Sequence, residues 1–406
     1  MNYVARSIEE DVRSALARGK SVLLLGPLQT GKTTLLTKVP HDLSISLVRP
    51  ETRQRYEKHL ELLEGEVIAF SQQHGTHQPV VLLDEVQKVP RLLDVAQDLI
   101  DRKKARFILT GSSARKLRRG KDVNLLPGRV VVLHLDPLSM QESPNAPLEQ
   151  RLLFGELPGI VLTQGDENRE LDLRSYVTTY LEEEVRAEAL VRSLASFSRF
   201  LELAAAESGQ VVNFRKLSQE IGVAHTTIIS YYEILEDCLI VHRVEPWTQS
   251  KTRKKLTKAQ KYLFFDLGVR RVASAFPPHI VPMLVGDWFE QWVGLQLIRQ
   301  CRHASRSTRV HFWRDPDGPE VDWVLHRGGE LIPIEVKWTE HPSEKDAKHL
   351  HVFLSEYPSA KKAFVVCRTP KAVQLSPAVT AVPWTDIGSL TDDGAIASSP
   401  EHFHGQ

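Results

Sequence analysis

The chain has 406 residues, of which 42% are hydrophobic, and its 52 Lys and Arg nearly balance its 51 Asp and Glu. This length exceeds what one hydrophobic core usually supports, so we expect two or three domains, and the composition excludes a disordered, collagen-like or coiled-coil chain. No run of 18 apolar residues occurs and the N-terminus carries acids where a signal peptide needs an apolar stretch. We therefore expect a soluble, cytoplasmic protein without a membrane segment. The formal charge of +1 does not exclude a polyanionic partner, because a sum over the whole chain does not show local clusters of charge.

The hydrophobic pattern changes along the chain. The first ~135 residues alternate short apolar runs with helical stretches, which predicts an α/β fold with a parallel sheet covered by helices on both faces. The pattern is helical over 170–238, and the block at 285–384 begins as a helix and continues as strands. We expect domains at 1–150, 151–270 and 271–390, and a flexible tail at 391–406.

A phosphate-binding motif follows the first predicted strand, at 21–25. The motif G-x4-G-K-T stands between this strand and a helical run, which is the context that a P-loop requires. Its glycines let backbone N–H groups wrap the phosphates, Lys32 reaches the β and γ oxygens, and the hydroxyl of Thr33 binds Mg²⁺. The predicted ATP-binding residues are Gly26, Pro27, Leu28, Gln29, Thr30, Gly31, Lys32, Thr33 and Thr34.

Two further strands end in polar residues. Asp84 and Glu85 close the strand at 80–83, where Asp84 is predicted to bind Mg²⁺ and Glu85 to polarise the attacking water; the alternative is a solvated acidic loop. The strand at 107–110 is followed by small hydroxyls, of which Ser112 is our first choice for a contact to the γ-phosphate or the water. The alternative for Ser112 is ordinary turn chemistry at the surface.

Arginines follow these hydroxyls. Arg115 comes shortly after Ser112, and Arg129 stands before a strand, after a Pro-Gly turn. An arginine offered to the γ-phosphate of a neighbouring subunit makes hydrolysis depend on assembly, so both are candidates for that role. The alternative is that they are simply solvated, as most arginines in such runs are.

These segments resemble the AAA+-type bacterial and archaeal ATPases that carry a C-terminal domain of unknown function, the DUF4143 proteins. The resemblance rests on GPLQTGKTTLL, LLDEVQKVP, ILTGSSARKL, LPGRVVVLHL, FGELPGIV, YLEEEV and the pattern K-x-x-K-x-x-K-Y-x-F-x-D-x-G at 255–268. It implies an Mg-ATP site in which Lys32, Thr33, Asp84 and Glu85 have their usual roles. It implies no biological role, because the family is largely uncharacterised.

The middle of the chain is typical of a helix-turn-helix. Residues 213–236 read as helix, glycine turn and helix, with His225, Thr226 and Thr227 at the start of the second helix, where a recognition helix meets DNA. A winged hairpin is predicted next, because the loop at 251–261 holds six basic residues and no acid. The alternative is a packing or lid domain with a solvated basic loop. The predicted DNA contacts of the loop are Lys251, Arg253, Lys254 and Lys255.

The last block contains a second group of chemical residues. Glu335 and Lys337 face the same side of a strand, and Asp322 lies on the preceding strand across a glycine hairpin. Two carboxylates can hold Mg²⁺ or Mn²⁺ while the lysine orients a water, which is the chemistry of phosphodiester hydrolysis. Glu290, on the preceding helix, is an additional candidate ligand.

This arrangement resembles the PD-(D/E)XK nuclease core of Holliday-junction resolvases and restriction enzymes, with Val321 in place of the usual proline. The resemblance implies an α/β nuclease-like domain, and the alternative is a degenerate domain that binds DNA without cutting it. The whole chain is predicted to be an α/β multidomain protein: an AAA+-type P-loop domain, a winged helix and a nuclease-like domain.

The predicted function is a DNA-processing ATPase that binds DNA and translocates or migrates branches, including Holliday junctions, coupled to a metal-dependent endonuclease. Its expected cofactors are ATP and Mg²⁺, with Mg²⁺ or Mn²⁺ at the nuclease-like site. Its expected partner is DNA, and we expect the chain to form a homo-oligomeric ring, for which a hexamer is the first candidate. The competing hypothesis is a nucleotide-dependent switch or scaffold whose C-terminal domain only binds DNA or protein.

Overall fold

A computed structural model describes residues 3–75, 78–113, 126, 128–181, 193–250, 256–303, 308–316 and 318–391. The chain divides into two compact units. The first comprises Met1–Asn145, Glu156–Ser198 and Ile229–Val241, and the second comprises Ala146–Gly155, Arg199–Ile228 and His242–Gln406. Among the described residues, none of the helices is both long enough and apolar enough to cross a membrane.

A five-stranded parallel sheet forms the centre of the first unit, as the sequence predicts. Its order is β2-β3-β4-β1-β5. The prediction missed β2, whose four residues alternate serine with apolar residues and are only partly buried. The strands are β1 (Ser21–Leu25), β2 (Leu43–Ser46), β3 (Val80–Asp84), β4 (Arg106–Gly111) and β5 (Val130–His134).

Helices cover both faces of this sheet, because its strands are apolar on both sides. Val22 and Leu24 of β1 pack in one core with residues of α1 and α2, whereas Leu23 and Leu25 pack in another core with residues of α3, α4 and α5. The predicted two-sided parallel sheet is thereby confirmed. These helices are α1 (Ile8–Ala17), α2 (Lys32–Leu36), α3 (Pro50–Lys58), α4 (Leu62–His74) and α5 (Leu92–Asp101), and a 3-10 turn covers Val86–Lys88.

The middle of the chain is mainly helical, and its predicted helix, glycine turn and helix are present. Gly222 ends the first of the two helices in the left-handed region at φ 76°, and the side chain of Asn213 caps its start by accepting the N–H of Lys216. The elements are α6 (Leu148–Phe154), α7 (Pro158–Leu162), α8 (Asp166–Ser175), a π-helix (Tyr176–Leu181), α9 (Leu194–Ala206), α10 (Phe214–Ile221), α11 (His225–Asp237) and α12 (Leu267–Ala273), with β6 (Val241–Val244) and β7 (Lys261–Phe264) forming a two-stranded sheet.

The C-terminal block begins with a long helix and continues as a six-stranded mixed sheet, as predicted. The strand order is β12-β13-β11-β10-β9-β8, and β9 and β10 form an antiparallel hairpin whose turn, Gly328-Gly329, has positive φ at both residues. The sequence reading missed β12, β13 and the helix before β11. The elements are α13 (Val285–His303), β8 (Thr308–Arg314), β9 (Glu320–Arg327), β10 (Glu330–Val336), α14 (Lys348–Glu356), β11 (Ala363–Cys367), β12 (Val373–Ser376) and β13 (Val379–Pro383), with 3-10 turns at Glu344–Ala347 and Trp384–Leu390.

Two glycines allow α6 and α12 to pack closely within the second unit. Gly155, at φ 70°, leaves no room for a side chain, since a Cβ there would lie 1.9 Å from Oδ1 of Asp266. A Cβ on Gly268 would lie 2.2 Å from the carbonyl oxygen of Phe154. Close packing therefore requires glycine at 155, in the FGELPGIV segment, and at 268, in the D-x-G part of the segment at 255–268.

Candidate functional site

The predicted phosphate loop lies between β1 and α2. Gly26 passes so close to the chain after β5 that a Cβ would lie 2.4 Å from the carbonyl oxygen of Leu135. Gly31 ends the loop at φ 93°, in the left-handed region that glycine adopts most readily, and Gln29 is also left-handed at φ 61°. The hydroxyl of Thr30 donates to the carbonyl of Pro27 across the loop. These residues hold the backbone in the curved form that a phosphate requires.

Lys32 begins α2 and lies within the curve of the loop. Its ammonium group donates to the carbonyls of Gly26 and Pro27 at 2.8 and 3.0 Å, and it lies 3.9 Å from Oε1 of Glu85. The next two residues, Thr33 and Thr34, are exposed and line the cavity beside the loop. The predicted lysine and hydroxyl are thus on the same side of the loop.

The two predicted acids occupy the end of β3 and the residue after it. Oδ1 of Asp84 accepts from the hydroxyl of Thr110 at 2.7 Å, and Oδ2 accepts from Ser46 at 3.3 Å. Glu85 is left-handed at φ 59°, and its N–H donates to the same Thr110 hydroxyl at 2.9 Å. Thr110, which sequence reasoning left unassigned, therefore fixes both acids from the neighbouring strand. Both acids are buried, which the alternative of a solvated loop does not explain.

Ser112 and Gln87 hold the carboxylate of Glu85. The Ser112 hydroxyl donates to Oε2 of Glu85 at 3.1 Å, and the amide of Gln87 donates to the same oxygen and to Oγ of Ser112. The structure thus places Ser112 against the glutamate, where it would control the orientation of the carboxylate. The sequence reading missed Gln87, although its position two residues after an acid at the end of a strand is a usable signal.

A cavity of about 330 Å³ lies against the loop, which is the size range of small-molecule sites. Its lining combines the phosphate-binding groups with apolar residues, and apolar contacts are what the base of a nucleotide requires. The lining residues are Gln29, Gly31, Lys32, Thr33, Thr34 and Glu85, together with Tyr3, Val4, Arg6, Leu28, Leu138, Pro158, Gly159 and Leu162.

Arg6 fixes the loop from behind and was missed by sequence reasoning. Its buried guanidinium donates to the carbonyls of Thr30 at 2.7 Å and Asp136 at 2.6 Å, and it pairs with Glu142 at 3.1 Å. Burial works to raise the pKa of Glu142, but Arg6 and two backbone N–H donors outweigh it and the pKa is lowered. Nothing in the local sequence marks an arginine 24 residues before the loop residue that it contacts.

The two candidate arginines for a neighbouring subunit differ in what the structure shows. Arg129 binds Asp101 of its own chain, with Nε 2.6 Å from Oδ1 and Nη2 2.9 Å from Oδ2. This two-point contact raises the pKa of Arg129 and lowers that of Asp101. Arg115 lies outside the residues that the structure describes.

The predicted DNA contacts lie at the start of α11. His225 and Thr226 are exposed there, whereas Thr227 is half-buried. The apolar residues of the two helices form a core, with Leu217, Ile228, Leu235, Tyr231 and Tyr232 buried and Ile221 half-buried. The loop residues Lys251, Arg253, Lys254 and Lys255 lie outside the described residues.

Lys261 is not part of a phosphate-tracking loop, contrary to its inclusion in the predicted basic wing. It is buried on β7, and its ammonium group lies 2.9 Å from Oε1 of Glu290 and 5.2 Å from the ring centre of Trp323. Burial lowers the pKa of Lys261, but Glu290 and Asp322 outweigh it, so the pKa is raised and the lysine is charged. The reason is tertiary: β7 carries this lysine toward the carboxylates of the C-terminal block.

Asp322, Glu335 and Lys337 come together on β9 and at the end of β10. Lys337 donates to Oε1 of Glu335 at 2.7 Å, and Oδ2 of Asp322 accepts the N–H of Val336 at 2.8 Å. Burial, followed by the charges of Glu290 and Glu335, raises the pKa of Asp322 well above its ordinary value. Burial also raises the pKa of Glu335, to about 6. Three carboxylates and two lysines therefore lie in one region, in which Asp322, Glu335 and Lys261 are buried.

These residues offer a divalent ion two carboxylates. Oε2 of Glu335 is buried and has no hydrogen-bond partner among the described residues, so it is free to take a ligand. Asp322 acts on it electrostatically at close range, but Glu290 is held by Lys261. In the described part of the chain, no group of three or more His, Cys, Asp or Glu side chains is arranged to hold a metal. Asp322 and Glu335 thus fit a metal ion better than Glu290 does.

Models of known families match both the N-terminal and the C-terminal part of the chain. Residues 18–143 match the family model of an AAA domain, and residues 285–387 match DUF4143, a domain of unknown function. Residues 145–279 match a second domain of unknown function, DUF8612. The fold and the site therefore define an AAA-type P-loop ATPase domain joined to a DUF4143 domain, which confirms that part of the predicted resemblance.

Two of the relatives similar in sequence are uncharacterized proteins. The chain is 26% identical to the uncharacterized protein Rv2008c of Mycobacterium tuberculosis, over 82% of this chain and 73% of the relative. It is 23% identical to the uncharacterized protein MJ1637 of Methanocaldococcus jannaschii, over 81% of this chain and 78% of the relative. The structure of Can2 from Sulfobacillus thermosulfidooxidans in complex with cyclic tetra-adenylate aligns with 91% of this chain and 97% of its own at 10% identity, and its TM-score of 0.21 is too low to establish a shared fold.

Proposed function

We propose that the chain hydrolyses Mg-ATP and couples hydrolysis to work on DNA, by binding it and translocating along it or migrating its branches, with Holliday junctions among the substrates. The observation that carries the ATP-hydrolysis part of the proposal is the position of Glu85, whose carboxylate lies 3.9 Å from the Lys32 ammonium inside the phosphate loop. A buried glutamate at this distance from the phosphate-binding lysine is suited to polarise a water for attack on the γ-phosphate.

The chemistry follows from the side chains around the loop. The loop N–H groups and Lys32 would bind the phosphates, while Thr33 and Asp84 would hold Mg²⁺, and both residue types suit that ion. Mg²⁺, when bound, neutralises charge on the β and γ phosphates. Glu85 orients the water and accepts its proton as the new P–O bond forms and the bond to ADP breaks. Ser112 and Gln87 keep the Glu85 carboxylate in one orientation.

We also propose that the chain assembles into a homo-oligomeric ring, for which a hexamer is the first candidate. In this ring, Arg129 or Arg115 reaches the nucleotide of the neighbouring subunit. Arg129 must exchange Asp101 for the phosphate to do so, which makes its contact depend on assembly. Light scattering with and without ATP tests the assembly. An Arg129→Ala variant that assembles normally and hydrolyses ATP at the wild-type rate would remove Arg129 from this role.

The function is tested with duplex, single-stranded, forked and four-way DNA, each assayed for ATP turnover. We expect at least one DNA form to stimulate hydrolysis, Lys32→Ala to abolish turnover, and Lys104→Ala, a lysine exposed on the same unit outside the cavity, to leave it unchanged. If the wild-type rate of ATP hydrolysis is the same with every DNA form as without DNA, hydrolysis is not coupled to DNA. If Lys32→Ala still hydrolyses ATP, the assignment of the ATP site is wrong.

The proposal extends to strand cleavage by the C-terminal block as a metal-dependent endonuclease. Asp322 and Glu335 would hold Mg²⁺ or Mn²⁺, and the bound ion would activate water and offset charge on the scissile phosphate. Lys337 is fixed by Glu335 and would orient the water. Plasmid and four-way junction incubated with Mn²⁺ should be cut by the wild type and left intact by Asp322→Ala.

A second candidate function, a nucleotide-dependent switch or scaffold, is favoured by the pairing of Lys261 with Glu290. This pair leaves the C-terminal block one carboxylate short of the predicted three-ligand site, which suits a module that binds without cutting. DNA that remains intact with the wild type, together with ATP binding without steady turnover, is the result that would select this function.

A further inference from the structure

A basic cleft lies in the second compact unit, and its lining includes none of the residues assigned above to ATP or metal. It has a volume of about 540 Å³, and its charged lining consists of Arg215, His225, Lys258 and Arg314. No Asp or Glu is among the described residues that line it. These side chains come from three segments that are distant in sequence, so the cleft exists only in the folded unit.

Backbone hydrogen bonds fix the segments that form the cleft. The N–H of Val212 donates to the carbonyl of Gln260 at 3.0 Å, and the N–H of Thr257 donates to the carbonyl of Arg314 at 3.0 Å. The backbone segments that carry the basic residues are therefore fixed before any ligand binds. Because the loss of backbone freedom occurs on folding, it does not oppose binding.

The positive charge of the cleft is mostly uncompensated. Arg215 and Lys258 are exposed, and neither forms an ion pair with a residue in the described part of the chain. Arg314 lies 3.5 Å from Glu320, and its side chain remains 41% exposed. A concave surface with this lining attracts a polyanion.

We infer that this basic cleft binds the phosphate backbone of duplex DNA; the inference rests on the proposed function, since it names where that DNA is held. Of the three predicted DNA contacts that the structure describes, His225 lines the cleft, whereas Thr226 and Thr227 do not. The cleft therefore contacts phosphates rather than base edges, and it positions DNA without selecting a sequence. Exposed cations on an open surface suit the phosphate chain of a nucleic acid.

The test is fluorescence anisotropy with a labelled 30-base-pair duplex and the full chain, between 50 and 200 mM salt. The variant Arg215→Glu/Lys258→Glu should bind at least tenfold more weakly at the lowest salt. The milder Arg215→Gln/Lys258→Gln should reduce the slope of log K against log salt by about 2, since each lost phosphate contact removes about 0.9. The matched control, Lys345→Glu/Lys361→Glu, reverses two exposed lysines of the same unit outside the cleft and should stay within twofold of the wild type.

Tryptophan fluorescence unfolding of each variant shows whether the unit remains folded. If the wild type binds duplex and both folded cleft variants bind equally well, the cleft inference is overturned and the proposed function stands. If the wild type binds no DNA, the proposed function and the inference fall together. If millimolar inorganic phosphate displaces duplex from the wild type at constant ionic strength, the cleft is a small-anion site and the inference is overturned.

Discussion

Replacement of Lys261 by methionine tests whether this lysine is the cation that compensates the C-terminal carboxylates. Its ammonium group lies 2.9 Å from Glu290, and the two side chains are only 10% and 21% exposed. Removing one partner of a buried ion pair costs about 3–5 kcal/mol, because the remaining charge is left without compensation. The loss of the contacts with the rings of Trp323 and Phe312 adds about 1 kcal/mol. We expect a destabilisation of about 4 kcal/mol after the apolar gain from methionine.

Urea unfolding followed by tryptophan fluorescence isolates this effect. All seven tryptophans lie between Trp247 and Trp384, so fluorescence reports only on the second compact unit. With a slope of about 2 kcal/mol per molar urea, a loss of 4 kcal/mol lowers the midpoint by about 2 M.

Two further variants control this experiment. Lys361→Met removes an exposed lysine of the same unit and should change the free energy of unfolding by less than about 0.5 kcal/mol. The double variant Lys261→Met/Glu290→Gln removes the uncompensated charge as well and should recover part of the loss. A Lys261→Met midpoint equal to that of the wild type would refute the reasoning that this lysine neutralises the cluster.

Three other changes have defined outcomes. Burial raises the pKa of Glu335 from 4.5 to about 6, so the protonated carboxyl stabilises the folded state below pH 4.5 and this contribution is lost as the pH rises through 6. Between pH 4.5 and 6.5 the wild type should lose about 1.5 kcal/mol relative to Glu335→Gln, and parallel pH profiles would contradict this. Gly155→Ala should destabilise the second unit by more than about 3 kcal/mol in the urea assay, because its Cβ would overlap Asp266. The control Gly328→Ala, at a position with positive φ but open space, should cost about 1 kcal/mol. Equal losses for the two variants would show that backbone strain alone acts at Gly155. Glu85→Gln should bind a fluorescent ATP analogue like the wild type and hydrolyse ATP at least 100-fold more slowly, and unchanged turnover would exclude Glu85 as the group that polarises water.

The sequence predicted the features that contiguous residues encode. The phosphate loop is such a feature, because glycine spacing, the lysine and the hydroxyl all lie within nine residues, and the strand and helix beside it have clear periodicity. The parallel sheet was predictable for the same reason, since β1, β3, β4 and β5 are apolar runs. The strand β2 was missed because its alternating serines give no apolar run.

The tertiary structure decided which distant residues meet, and there the sequence reading was incomplete or wrong. Lys261 was assigned to a basic DNA-contacting wing from its neighbours in sequence, yet on β7 it pairs with Glu290 of α13. Arg6 reaches the phosphate loop from the N-terminal segment. Such contacts leave no periodic signal, because a single charged side chain becomes buried only where packing supplies an opposite charge. The sequence by itself therefore determined the nucleotide-binding chemistry, and the packing of the second unit determined the charge balance of its carboxylates and the position of its basic cleft.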